Sequence, residues 1–198
     1  MANRAFFDID AIEDKYDIIY ADPPWSYYGQ QDKWGAAQKF YDTMEPMEIY
    51  KLPVQRLLND KSMVFLWATG PRLHYAIECL EWWDLYYRGV AFVWVKTKQD
   101  GTPIGAQGVR PSITKPLTEF VLAGSTVEKG RPLPLNDESV VQTVFSPRKE
   151  HSAKPVEVYS RIESMYPGAK KLEMFGRGKP RLGWDIHGDE VEMLDSTG

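Results

Sequence analysis

The chain reads as one α/β domain with a mostly parallel sheet and helices on both faces, and three observations carry that reading. Apolar runs such as Tyr16–Tyr20, Ser62–Ala68, Gly89–Val95 and Lys171–Phe175 alternate with stretches of helical spacing. The runs are apolar at consecutive positions, as strands covered on both sides are. Glycines and prolines punctuate the joins. No internal repeat or clean linker divides the 198 residues, so the expectation is a single domain over 1–198, an α/β sandwich of Rossmann type.

Taken in order, Phe6–Asp10 is a short apolar run ending in acids, an edge strand or a feeding loop. Tyr16–Tyr20 is the first buried strand. Asp22-Pro23-Pro24-Trp25 then ends it abruptly. Two prolines fix φ and donate no backbone hydrogen bond, and each holds the residue before it extended. A carboxylate, two rigid carbonyls and a large aromatic are thereby set at a strand end, where open α/β sheets bind ligands. A plain surface turn with a packing Trp is the equal alternative for these four residues alone. Ser26–Phe40 has no periodicity and reads as a long functional loop. Thr43 is a helix N-cap candidate before Pro46, with helix running in interrupted form to Leu58.

Ser62–Ala68 is the next strand, closed by Thr69-Gly70-Pro71. Arg72–Trp83 shows Leu73, Ile77, Leu80 and Trp83 at helical spacing. Tyr86–Lys96 is a long strand, Thr97–Pro116 a second long loop, and Leu117–Ala123 a strand. Gly124–Arg148 is loop-rich, with weak strand content near Val140–Phe145. Pro155–Tyr166 is a helix ended by Pro167-Gly168. Lys171–Phe175 is the last strand expected, and the acidic tail from about Asp185 should fray at its end. Trp67, Trp82, Trp83 and Trp94 are read as core, and Cys79 as an inert packing thiol.

Composition narrows the function classes. Net charge is −4, which argues against a grip on nucleic acid by the whole surface. Ser146–Arg181 nevertheless holds nine Lys or Arg against four Glu, a local stretch suited to a nucleic-acid backbone or to a mixed solvated face. One cysteine leaves no internal disulfide framework and fits a reducing, cytoplasmic setting. No signal peptide or membrane span is legible. His74, His151 and His187 have no metal-ligand spacing, so no metal is expected.

Two further motifs bear on chemistry. Phe175-Gly176-Arg177-Gly178 follows a strand, where glycines let backbone approach a ligand. The full dinucleotide fingerprint is absent, which argues against a nicotinamide or flavin cofactor. His151-Ser152-Ala153-Lys154-Pro155 leads into a helix, a place that attracts anionic groups, or where Ser152 simply caps the helix.

In order, these motifs resemble the amino-methyltransferases that act on the exocyclic amine of adenine, in the circularly permuted arrangement with the catalytic turn first. More closely the chain resembles the MT-A70 family, named for the catalytic subunit of messenger-RNA adenosine methyltransferase. The likeness is carried by Asp8-Ile9, Ala21–Trp25, Tyr41–Met44, Phe65-Leu66-Trp67, Trp94–Thr97, Lys154-Pro155 and Glu173–Arg177. It implies a Rossmann-like S-adenosylmethionine-dependent methyltransferase fold and methyl transfer to the 6-amino group of adenine.

By that resemblance Asp22, Pro23, Pro24 and Trp25 form the catalytic turn. Asp22 and the Pro23 carbonyl would hold the target amine and Trp25 would pack on the base. Asp8 and Ile9 would contact the adenine of S-adenosylmethionine. Lys154 would meet its carboxylate end, and Phe175, Gly176 and Arg177 would form the floor and a ribose contact. Asp22, Asp189 and Glu190 complete the cofactor side, with Asp189 where relatives carry Asn. Tyr41, Lys96 and Glu119 fall on the acceptor side. DNA is the expected substrate, because the chain is a bare catalytic domain, with RNA as the alternative. A non-catalytic nucleic-acid-binding partner of the same fold is the second alternative. A homodimer is compatible with the sequence.

Overall fold

The structure is a computed structural model and describes residues 8–26, 43–105, 113–148, 153–188 and 190–191. The expected loop at 26–40 lies almost wholly outside the described residues, as do His151, Ser152, Tyr41 and Asp189.

Seven strands form the main sheet: β1 (Tyr16–Ala21), β2 (Leu58–Thr69), β3 (Tyr86–Thr97), β4 (Thr118–Ser125), β5 (Thr143–Pro147), β6 (Lys171–Met174) and β8 (Trp184–His187). Two-residue strands β7 (Arg177–Gly178) and β9 (Glu190–Val191) pair separately. The main order is β5-β3-β4-β2-β1-β6-β8. All run the same way except β4, which is antiparallel to both β2 and β3. The mostly parallel expectation therefore holds with one inverted strand.

Helices cover both faces. Along β2, Val64, Leu66 and Ala68 point to one side and Met63, Phe65 and Trp67 to the other, the period-2 alternation of a strand. The first set packs under α1 (Pro46–Tyr50) and α2 (Leu73–Trp82), with Ile49, Ala76, Cys79 and Leu80 fully buried. The second set packs under α3 (Val156–Met165) through Val158 and Ile162. Burying one such aliphatic side chain contributes roughly 1.5–3 kcal/mol.

Sequence expectations and structure differ at four places. Glu45, not Thr43, caps α1: its backbone N–H donates to Glu48 Oε2 at 2.8 Å, closing a capping box ahead of Pro46. Strand β2 begins four residues early, at Leu58. Its polar segment 59–62 is an irregularity opposite Tyr16–Ile18, satisfied where Ser62 Oγ donates to the Tyr16 and Asn59 carbonyls. Trp82 is 53% exposed and stacks on Tyr50, while Trp67, Trp83 and Trp94 are core. Trp184–His187, where only the start of an acidic tail was expected, is a strand beside β6, and the end of that tail lies outside the described residues. Trp184 donates from Nε1 to Glu163 and Tyr16 donates to Asp185, which fixes this edge.

This topology positions the site. From β1 the chain moves through α1 to β2 on one side, and it returns through α3, on the opposite face, to β6 on the other side. The crevice at the carboxyl end of β1, between β2 and β6, is the topological switch point, where ligands bind in such sheets.

Candidate active site

Asp22 stands at that switch point. Its N–H donates to Met174 O at 3.4 Å, which carries the β1–β6 pairing one residue past the strand. Trp25 N–H then closes onto Pro23 O at 2.8 Å, a three-residue turn. Met44 N–H donates to Pro24 O and Ser26 N–H to Met44 O, so the turn is clamped from outside. The Pro23 carbonyl expected to meet a substrate amine is thus already an acceptor and has one lone pair left.

Trp25 takes a different part from the base-packing one. Its ring is 6% exposed, lies in the α1–α2 core and donates from Nε1 to Trp67 O at 3.1 Å. It ties the turn to β2, and its faces are spent on packing.

Four charged side chains meet beside the turn. Lys154, just before α3, places Nζ 3.1 Å from Asp22 Oδ1 and 2.9 Å from Glu119 Oε2. Glu119 also pairs with Lys96 of β3. The Lys154 ammonium lies 4.8 Å from the Trp67 ring centre, and that of Lys96 5.0 Å from the Trp94 ring centre, both within cation–π range. Inversion of β4 makes this meeting possible. Glu119 opens β4 and sits opposite Thr69, the last residue of β2, so an antiparallel strand delivers a carboxylate to the end where the parallel strands finish.

The electrostatics are those of an enclosed network. Burial pushes the Asp22 carboxyl above the usual carboxylate range, although Lys154 pulls it back. Burial acts upward on Glu119 too, but Lys154 and Lys96 outweigh it and hold that carboxyl below its ordinary value. Burial would lower Lys154, yet Asp22 and Glu119 raise it well above the usual lysine value. Asp22 and Glu119 are therefore bridged by one lysine that is firmly charged. Lys154, expected to face a ligand carboxylate, and Asp22, expected to face a substrate amine, occupy each other here.

On the β6 side, Phe175 holds φ at +61°, a left-handed conformation that non-glycine residues seldom adopt and that marks functional turns. Gly176 follows. A Cβ there would fall 2.4 Å from Ile186 Cγ1, and a Cβ on Gly188 would fall 2.2 Å from Gly176 O. These glycines serve the close approach of two backbone segments, and Gly176 N–H donates to His187 O at 3.1 Å. Arg177 is exposed and pairs in register with Glu190 across β7 and β9.

Asp8 is exposed and accepts from Asp10 N–H, while Ile9 is buried in the core. Beside them a groove of about 440 Å³ runs along edge strand β8, between residues 11–14 and Tyr16, Leu172 and 185–187. The structure thus joins Asp22, Lys154, Glu119 and Lys96 in one series of ion pairs, with Phe175–Arg177 following the neighbouring strand β6. Asp8 and Ile9 lie apart, by the β8 groove.

Sequence reading quoted Glu173 within a motif and Tyr159 on a helix, and gave neither a role in the site. Tyr159 Oη donates to Glu173 Oε1 at 2.8 Å, and its ring centre lies 4.5 Å from that of Tyr20. Period-2 alternation from Asp22 back to Tyr20, and across to Glu173 in register, is the signal that finds them.

Comparison with known proteins follows the same line. The MT-A70 family model matches residues 16–190. A Type II methyltransferase, M.MunI of Mycoplasma sp, is 34% identical over 195 residues, spanning 89% of this chain and 78% of that protein. The N(6)-adenosine-methyltransferase MT-A70-like protein of Drosophila melanogaster is 33% identical over 82% of this chain. The human N(6)-adenosine-methyltransferase catalytic subunit METTL3 is 32% identical over the same share. The match spans only 24% and 26% of the lengths of those two relatives.

Proposed function

The chain belongs to the MT-A70 family, and from that premise we propose that it transfers a methyl group from S-adenosylmethionine to the 6-amino group of adenine in DNA. The observation that carries the reading is Asp22, fixed on its clamped turn at the switch point and bridged by Lys154 to Glu119. The preference for DNA rests on likeness to a Type II methyltransferase along most of that protein's length. Identity to the N(6)-adenosine methyltransferases keeps RNA as the second reading.

The residues present fit the methyl donor. An enclosed ammonium on Lys154 suits an amino-acid carboxylate, and carboxylates beside it suit cationic centres. S-adenosylmethionine, when bound, supplies a methyl group already activated on a sulfonium sulfur.

The chain's own residues then act on the acceptor. The adenine amine is a weak nucleophile, because its lone pair is delocalised into the ring. Asp22 accepts one of its N–H bonds and the remaining lone pair of Pro23 O accepts the other, which favours a pyramidal nitrogen. As the new N–C bond forms, the nitrogen becomes cationic, and Asp22 stabilises that charge from a position fixed beforehand. Asp22 then takes the proton the nitrogen sheds and passes it to water. The rigid two-proline turn holds these acceptors in line with the methyl. Lys154 must release Asp22 for this, and Glu119 keeps it nearby. The base has to leave its stack to reach the turn. The family's non-catalytic reading loses ground because the turn is intact.

The test is methyl transfer from labelled S-adenosylmethionine to single- and double-stranded DNA and RNA, beside Asp22→Ala. Transfer to adenine in DNA is expected, reduced at least about 100-fold by the substitution. Full activity in Asp22→Ala removes Asp22 from the mechanism. Transfer to RNA alone reverses the substrate assignment.

A further inference from the structure

Glu173 has no role in the mechanism above, yet it lies within the site. It pairs in register with Tyr20 of β1 and Ile186 of β8. Its neighbours Leu172 and Met174 point to the α1–α2 face, so Glu173 points to the α3 face, as Tyr20 does. A Cβ on Gly176 would lie 3.1 Å from Glu173 Cγ, which places the side chain against the Phe175–Gly176 turn.

Its partners set it apart from the other carboxylates. Glu119 has two ammonium partners and Asp22 has one. Glu173 has a phenol, Tyr159, and no ion pair with any of the described residues. Two further polar groups, the Tyr20 hydroxyl and the Trp67 indole N–H, are buried nearby with no hydrogen-bond partner of normal geometry among the described residues. Burial, and then the charge of Asp22, push the Glu173 carboxyl above its ordinary value, against the pull of Tyr159 and the smaller pull of the Arg181 charge, which is itself paired with Glu163.

An enclosed carboxylate with no cation in contact is costly. It is matched when a ligand brings the cation. The methyl donor carries one carboxylate and two cationic centres, an ammonium and a sulfonium. Lys154 suits the carboxylate and Asp22 is engaged with amines. The sulfonium is left, and Glu173 is the carboxylate left beside it. Resting on the methyltransferase reading, we propose that Glu173 faces the sulfonium charge of S-adenosylmethionine and lets the site prefer the donor over its neutral thioether product, S-adenosylhomocysteine. Tyr159 is then a positioning residue that aims the carboxylate. Loss of the sulfonium charge on transfer removes the attraction and favours product release.

Calorimetric binding of both ligands tests this without turnover. Glu173→Gln is expected to weaken S-adenosylmethionine about 10-fold while changing S-adenosylhomocysteine less than about 2-fold. Glu173→Asp keeps the charge and should keep the ratio of the two affinities, even where both fall. Tyr159→Phe should narrow the ratio only in part. Equal weakening of both ligands by Glu173→Gln, as a ribose contact or a purely structural role gives, overturns the proposal, and so does no change. Should the wild-type protein bind neither ligand, the methyltransferase reading fails first and this inference with it.

Discussion

Replacing Lys154 by Met removes the ammonium that joins two carboxylates and keeps most of the side-chain volume. Glu119 is left with Lys96 alone, and Asp22 loses its ammonium and keeps only the smaller pull of the Arg177 charge. Breaking one side of a buried pair costs about 3–5 kcal/mol. Asp22 keeps a third of its side chain exposed, against 12–13% for Glu119 and Lys154, so water relieves part of that cost. A loss near 3 kcal/mol at pH 7.5 is therefore expected.

The pH dependence follows from the direction of each shift. Glu119, held low in the folded protein, adds stability above its unfolded value of about 4.3, and this is lost as pH falls through the folded value. Lys154, held high, contributes in full below about 10.4, and its share is lost only as pH rises beyond that. Between roughly pH 5 and 9 neither Glu119 nor Lys154 adds a pH dependence of its own. In Lys154→Met the Asp22 carboxyl, already raised by burial, rises further, and the folded state binds its proton more tightly than the unfolded chain does. The variant should accordingly recover stability as pH is lowered from 7.5 to 5. Urea unfolding at both pH values reads this, with equal midpoints at pH 7.5, or a gap that is the same at both, refuting the argument.

Two other substitutions separate structure from chemistry. Trp25→Phe deletes the hydrogen bond to Trp67 O and should cost about 1–2 kcal/mol in urea unfolding, with KM for nucleic acid changed less than about 3-fold. A KM raised 10-fold at unchanged stability would instead make Trp25 a base platform. Gly188→Ala should destabilise more than Gly176→Ala, since the first Cβ meets the backbone oxygen of Gly176 and the second meets the movable Ile186 side chain. Costs at the upper end of 1–3 kcal/mol for Gly188→Ala and the lower end for Gly176→Ala are expected by thermal unfolding, and the reverse order would show that the β8 end does not press on the donor turn.

Much of the sheet was legible because its strands are apolar at consecutive positions, the mark of burial on both faces. Leu58–Lys61 escaped because Asn59, Asp60 and Lys61 are polar and sit in an irregularity rather than a ladder. Trp184–His187 escaped because a four-residue edge strand with Asp and His carries no continuous apolar signal. The direction of β4 was not readable at all. An eight-residue run looks the same either way round, and the 20 residues from 98 to 117 suit a hairpin as well as a crossover.

The same inversion explains why the site was legible in its residues but not in its wiring. Asp22, Lys96, Glu119 and Lys154 were each named by the resemblance, Lys154 for the carboxylate of the donor and the other three for the acceptor side, and none for one another. With β4 parallel, Glu119 at its start would stand at the far end of the sheet from Asp22, and Lys154 would hold Asp22 alone. With β4 reversed, Glu119 sits across from Thr69 and binds Lys154 as a second anion. That second anion gives Lys154 somewhere to remain when Asp22 turns to substrate. Asp22 can then exchange partners without leaving an ammonium stranded in an enclosed site. A lone Asp22–Lys154 pair would make the same exchange cost the full penalty of an unpaired buried charge. Glu119→Gln should accordingly lower kcat more than it weakens donor binding, because the lysine then has only Asp22 to hold.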